Sequence, residues 1–187
     1  SEENTETVLN ILKERGIQAT FFLVGENVAK NPEIARRIVA EGHTIGIHSN
    51  THDYTAIYAD VDSFVQDFEE AHQIIYEVTG VDAKLFRFPG GSINAYNAEV
   101  SDDIIAKMTE LGYTYYDWNA SLGDAAPETT PEGLIDNGVS TTLGRKNVVM
   151  LAHDVVYNTG ACLEELLDSL PEYEMKALSE DVEPVQF

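Results

Sequence analysis

Basic residues are scarce in this chain: 11 Lys and Arg stand against 33 Asp and Glu, for a net charge of −22. A field of that sign repels nucleic acid and anionic membrane surfaces, which excludes both as expected partners. It favours neutral or cationic ligands, and it equally serves solubility alone. Cysteine is scarcer still, with Cys162 the single one. Neither an intrachain disulfide framework nor a cysteine metal cluster can therefore form within one chain. Cys162 falls on the apolar stripe of a helical segment, the place of a small core residue rather than a nucleophile. Long apolar runs are also missing: none approaches the ~20 residues of a membrane span, so an integral membrane protein is not expected. Internal repeats, low-complexity stretches and linkers are absent. What is there is 187 residues, 43% of them hydrophobic and interleaved with charge, enough for one domain with one substantial core.

The organising signal is alternation of the two periodicities. Val8, Ile11 and Leu12 share one face of a helix over Glu3–Arg15 that stops at Gly16. The short apolar run Thr20–Val24 reads as a buried strand. Asn31-Pro32 opens the next helix, which carries Ile34, Ile38 and Val39 to Gly42. Strand Thr44–His48 follows, then a long helix bearing Phe64, Phe68, Ala71, Ile75 and Val78, ended by Gly80. Leu85–Phe88 is a strand, Ser101 caps a helix running to Gly112, and Tyr113–Trp118 is another strand. Thr130-Pro131 starts a helix, Asn147–Leu151 is an apolar strand, Thr159–Leu170 is a helix, and Glu174–Leu178 reads as a last strand. Strands alternating with helices predict an α/β fold with a parallel sheet, either closed into a barrel or open and doubly wound.

Four polar residues share one address in this scheme. His48 ends a strand, Arg87 lies near the end of another, Asp117 closes a third and His153 follows a fourth. Parallel α/β proteins build their sites at the carboxyl ends of strands, where the loops converge. The sharpest local pattern is His48-Ser49-Asn50-Thr51-His52. Two histidines four apart can converge on one ion, though an isolated pair of that spacing is as readily two ordinary loop residues. Its position at the end of a strand favours the metal reading.

Three ordered motifs resemble those of the polysaccharide deacetylase family, the NodB-homology domain of carbohydrate esterase family 4. His48-Ser49-Asn50-Thr51-His52 is similar to the family's H-[ST]-x-x-H, Arg87-Phe88-Pro89-Gly90-Gly91 to its R-x-P-x-G, and Leu151-Ala152-His153 to its L-x-H. Gly42–Gly46 and Ala19–Phe22 are also typical of it, so the resemblance spans nearly the whole chain. It implies a distorted (β/α)7-type barrel and a metal-dependent hydrolase that removes acetyl groups from N-acetylated glycans of the peptidoglycan or chitin type. His48 and His52 would bind a divalent metal, zinc in most of the family, as neutral imidazoles. Arg87 would hold an aspartate base ionised, His153 would be the general acid, and Leu151 would line the pocket for the acetyl methyl group. Pro89 and Gly90 would fall on the substrate side. Family habit implies a secreted or cell-surface location in a bacterium.

Two departures accompany the match. The family's first motif, an aspartate pair that provides the base and the third metal ligand at the end of the first strand, has no counterpart here. Ser1–Thr5 corresponds to the segment that follows it, so the first strand is expected to be missing and the domain N-terminally incomplete. The fourth motif is loose: Asp124 matches the aspartate that tunes the acid histidine, while Ala125 stands where a groove-lining tryptophan is usual. A glycan-binding module without catalysis and a hydrolase of small amides remain the competing readings. Elsewhere, His43 reads as a structural histidine, His72 as part of a solvated helix face, and Asp154 as a turn cap or loop-orienting residue. Gly90-Gly91 is either a tight turn or a source of oxyanion-binding N–H groups. Tyr113, Tyr115, Tyr116 and Trp118 are divided by strand alternation between core and sugar-stacking positions.

Overall fold

The computed structural model describes residues 2–187; Ser1, at the expected boundary of the missing motif, lies outside the described residues. In chain order the elements are α1 (Glu2–Arg15), β1 (Thr20–Val24), α2 (Gly25–Lys30), α3 (Pro32–Ala40), β2 (Thr44–Ser49), α4 (Tyr54–Ile57), α5 (Val61–Thr79), β3 (Leu85–Phe86), α6 (Ser101–Glu110), β4 (Thr114–Tyr115), β5 (Ala120–Ser121), α7 (Pro131–Thr142), β6 (Met150–Leu151) and α8 (Tyr157–Asp168). They fall into two compact units, one of Thr20–Asp117 with Ala177–Phe187, the other of the residues through Ala19 with Trp118–Lys176.

The first of these units is built on a parallel sheet in the order β1-β2-β3-β4. Its strands need no alternation because both faces are covered, and they read as apolar runs for that reason. Ile45, Ile47, Phe64, Phe68, Phe86 and Met108 are buried between the sheet and its helices. Asp60 caps α5 by accepting from Ser63 N, and Gly80, at φ 74°, ends it. Pairing of β1 with β2 runs Leu23↔Ile47 and then Val24↔Ser49, so His48 is the extra residue of a β-bulge. Bulges of this kind re-aim one side chain without ending the strand.

The other unit pairs β5 with β6 in parallel, Ser121 opposite Leu151. Leu122, Leu134, Cys162, Leu166 and Leu170 form its buried cluster, which bears out the core placement of Cys162. Thr130 caps α7 through Gly133 N at 3.1 Å, as its position before Pro131 predicts.

Several element expectations need correction. Glu174–Leu178 is not a strand: Leu178 N donates to Thr20 Oγ1 and its carbonyl accepts from Thr44 Oγ1, side-chain bonds in place of a ladder. The short strand β5 and the helix α2 carry no periodic signal of their own, being two and six residues long. β3 is shorter than Leu85–Phe88 because Pro89, two residues on from its partner-bonded Arg87, has no N–H to extend a ladder. Ser101 is the first helical residue of α6, not its cap; its hydroxyl donates instead to Ser92 O at 2.6 Å. Among the described residues no helix is long and apolar enough to cross a membrane.

Candidate active site

The sheet unit gathers His48, Arg87 and Asp117 at the carboxyl ends of β2, β3 and β4, as their positions in the chain predict. The His48 ring places Nδ1 2.7 Å from Arg87 O. A carbonyl only accepts, so Nδ1 carries the proton and Nε2 presents the lone pair, the tautomer a metal ligand requires. The ring centroids of His48 and His52 lie 5.1 Å apart with their planes tilted by 44°. Two imidazoles bonded at ~2.1 Å to one tetrahedral ion place their centroids roughly 5 Å apart, so the pair fits a shared cation. Among the described residues no group of three or more His, Cys, Asp or Glu is placed to hold an ion. The pair therefore fits as two ligands of such a site.

His52 reaches its position through φ 59°, a left-handed backbone that side chains other than glycine seldom adopt. The residue that stabilises this turn is Asp67, on α5, which no motif singles out. Its Oδ2 accepts from Ser49 Oγ at 2.6 Å and Asn50 N at 2.7 Å, and its Oδ1 from Thr51 N at 2.9 Å and Thr51 Oγ1 at 2.7 Å. Ser49 Oγ in turn accepts from His52 N at 2.9 Å. Asn50 is wedged against Gly25, where a Cβ would stand 2.4 Å from Asn50 Oδ1 and 2.9 Å from Ala71 Cα. Only glycine permits that approach. Asp67→Ala leaves four donors of a half-buried loop without their acceptor. A loss of about 1–3 kcal/mol in denaturant unfolding is expected, larger than that of an exposed α5 carboxylate such as Asp62→Ala.

Arg87 is buried, with Nε donating to Tyr116 O at 2.8 Å and Nη2 to Asp117 O at 3.2 Å, and its guanidinium lies 4.4 Å from the centroid of the Phe22 ring. Burial pushes its pKa down to about 10, opposed by the nearby Asp117 carboxylate, so it stays protonated at neutral pH. The backbone carbonyl of the same residue orients His48, a contribution invisible in the motif. Pro89 is buried and its carbonyl accepts from Tyr58 Oη at 2.7 Å, while Gly90 is exposed at φ 77°. Gly91 N donates to Phe88 O at 2.9 Å, which commits that N–H to a turn. Asp117, fully buried, accepts from Ser92 N at 2.9 Å, Ser92 Oγ at 2.6 Å and Phe187 N at 3.1 Å, anchoring the loop that contains these glycines.

The other unit holds His153 and Asp124. Nδ1 of His153 lies 2.8 Å from Asp124 Oδ1, its backbone N donates to Oδ2 at 2.6 Å, and Thr159 Oγ1 donates to Oδ2 at 2.6 Å. The His153 side chain is 40% exposed and that of Asp124 1%. Burial pushes the Asp124 carboxyl up, but the bonds from His153 and Thr159 outweigh it and hold the group below its ordinary value. A carboxylate whose folded pKa is depressed stabilises the fold above its unfolded pKa of ~3.9 and loses that contribution as pH falls through the folded value. Asp124→Asn is expected to cost about 1–3 kcal/mol at pH 7, with the gap to the native protein closing below about pH 4 in acid-titrated unfolding curves. Leu151 sits in β6, half-buried, two residues before His153. Asp154 accepts from Thr5 Oγ1 at 2.5 Å, bonding the loop to α1.

The remaining expectations resolve individually. His43 is buried edge-on against Phe21, a structural place, and burial lowers its pKa. His72 is not simply solvated, since Nε2 meets Asp82 Oδ1 at 2.8 Å and the ring packs edge-on against Tyr113. Tyr115 and Tyr116 are core, and Tyr113 packs on Phe68.

Parallel strands with histidines and paired acids at their carboxyl ends define an α/β protein of hydrolase type. The chain belongs to the polysaccharide deacetylase family, whose model matches residues 1–116. It is similar to a peptidoglycan-N-acetylglucosamine deacetylase of Bacillus cereus, 32% identical over 190 residues that cover 98% of this chain and 68% of the relative. A chitin deacetylase of Colletotrichum lindemuthianum is 32% identical over 179 residues, 89% of this chain and 68% of the relative. The crystal structure of the catalytic domain of a peptidoglycan N-acetylglucosamine deacetylase from Eubacterium rectale matches with a TM-score of 0.92 at 28% identity, over 98% of this chain and 86% of that one. The chain spans about two thirds of the length of the curated relatives it matches.

Proposed function

We propose that this protein hydrolyses acetamido groups of an N-acetylated glycan, of the peptidoglycan or chitin type, with a divalent metal, zinc by preference, held by His48 and His52. The observation that carries the reading is the His48 ring, bonded through Nδ1 to Arg87 O at 2.7 Å and facing His52 at 5.1 Å. When bound, the metal supplies Lewis acidity toward the acetyl carbonyl and acidifies water. The chain's own residues supply the rest. His153, with Nδ1 against Asp124, gives a proton from Nε2 to the departing nitrogen as the C–N bond breaks. Water provides the other oxygen of acetate, and the sugar leaves as an amine. Asp124 stabilises the resulting charge on the ring and keeps its tautomer. Leu151 forms the apolar wall for the methyl group, Pro89 and Gly90 border the substrate, and Arg87 holds the loop and strand ends that carry these groups. The relatives' named substrates and the chain's dearth of basic residues agree with an uncharged glycan met at the cell surface.

A second reading, glycan binding without catalysis, is favoured by the lack among described residues of a three-donor metal group. Acetate release from N-acetylglucosamine oligomers and from peptidoglycan, with zinc added and with zinc chelated, separates the two. Zinc-dependent acetate release is expected; oligomer binding with no acetate under either condition would leave only the binding module.

A further inference from the structure

The geometry points to a glycan-binding position that no motif marks: we propose that Tyr96 is a stacking platform for a pyranose ring adjoining the sugar that is deacetylated. It rests on the deacetylase reading for where the reacting sugar lies. Aromatic rings of the sheet unit are mostly core, with Phe64, Phe68, Phe86 and Phe88 all buried. Tyr96 is 59% exposed, and its near neighbour in sequence Ile93 is 69% exposed. One exposed apolar residue needs no explanation; a ring held rigidly in water beside a catalytic loop is a different case.

The loop that presents Tyr96 is bonded on its inner side. Asn94 Oδ1 accepts from Tyr96 N at 2.8 Å and from Asn97 N at 3.1 Å, while Asn97, fully buried, accepts from Asn94 N at 2.9 Å and donates to Gly91 O at 3.1 Å. The ring is stacked on Tyr54, centroids 5.1 Å apart and planes 22° from parallel. Tyr54 meets the His52 ring at 5.3 Å. Only the Tyr54 ring therefore separates Tyr96 from a candidate metal ligand, and the whole run His52–Tyr54–Tyr96 lies within one unit. A linked glycan whose acetamido group meets His52 extends neighbouring rings over a comparable distance.

The chemistry selects the ligand class. A pyranose presents an apolar face of C–H groups that packs on an aromatic face, with its hydroxyls at the edge left to water or to the phenol. A tyrosine backed by a second ring loses little conformational freedom on contact, which favours weak, repeated contacts along a chain. The net charge of −22 disfavours anionic ligands and leaves a neutral N-acetylated chain unopposed.

The test compares the protein with Tyr96→Ala, Tyr96→Leu and Tyr96→Phe on the N-acetylglucosamine dimer and tetramer, measuring zinc-supported acetate release and, separately, oligomer binding by NMR titration. Tyr96→Ala and Tyr96→Leu are expected to lower the tetramer-to-dimer ratio of kcat/KM roughly tenfold, through KM, the size of one aromatic stacking contact. Tyr96→Phe keeps the ratio. An unchanged ratio in Tyr96→Leu, whether or not both rates fall together, overturns the platform while leaving deacetylation intact. If the unmodified protein releases no acetate, the deacetylase reading fails, and binding decides: a tetramer Kd raised relative to the dimer by Tyr96→Leu sustains the platform, and an unchanged one overturns it.

Discussion

His153→Ala is expected to lower kcat for acetyl removal by about 10²–10⁴-fold, the usual contribution of a positioned general acid. The physical reason is the state of the leaving group: an amine expelled without a proton is a very poor leaving group, and no other group on this loop is so placed. His153 is 40% exposed on its side chain, so its removal opens no cavity and the melting temperature should stay near that of the native protein. KM should change little, because proton transfer belongs to the transition state. The pH profile provides the sharper check. In the native protein kcat falls on the alkaline side as the acid loses its proton, and in His153→Ala that limb should vanish along with most of the rate. Asp124→Asn should lie between the two, since the amide offers the ring N–H a weaker acceptor and leaves the imidazolium without its counter-charge. A His153→Ala protein retaining activity within threefold, with its alkaline limb intact, would remove His153 from the chemistry.

His48→Ala should abolish zinc binding at micromolar metal and reduce acetate release at least as severely. A site losing one of its two imidazoles loses both a bond to the ion and the geometry that the Arg87 carbonyl imposes through Nδ1. Metal content after dialysis is the direct readout, independent of turnover. His43→Ala serves as the contrasting variant: its ring is packed on Phe21 in the core, so it should cost stability without altering zinc stoichiometry. Unchanged zinc content in both His48→Ala and His52→Ala would show that the ion, if any, binds elsewhere, whatever happened to activity.

Much of the site was legible along the chain because strand ends are legible. The apolar runs before His48 and His153 are short and bounded, and parallel architecture directs whatever follows them to one end of the sheet. Asp124 was reachable through motif spacing, and the structure sets it against both the ring and the backbone of His153. Helix positions carrying three or four apolar residues in register were equally plain, as in α5 with Phe64, Phe68, Ala71 and Ile75. Elements below that length left no periodic trace. α2 and β5 belong to this group, and Glu174–Leu178 imitated a strand by alternation while bonding through threonine side chains.

The scarcity of basic residues, the single buried cysteine, the order of strands and helices and the identity of the histidines are properties of the chain itself, readable because each depends on composition or on neighbours a few residues apart. Tertiary structure alone decided how those histidines are held. The bulge that isolates His48, the Arg87 carbonyl that sets its tautomer, the Asp67 carboxylate that ties the loop from 16 to 18 residues away and the Tyr54–Tyr96 stack all join residues distant in sequence. Hydrogen bonds and ring contacts of that kind depend on approach in space, and no local pattern encodes which carboxylate or ring will arrive.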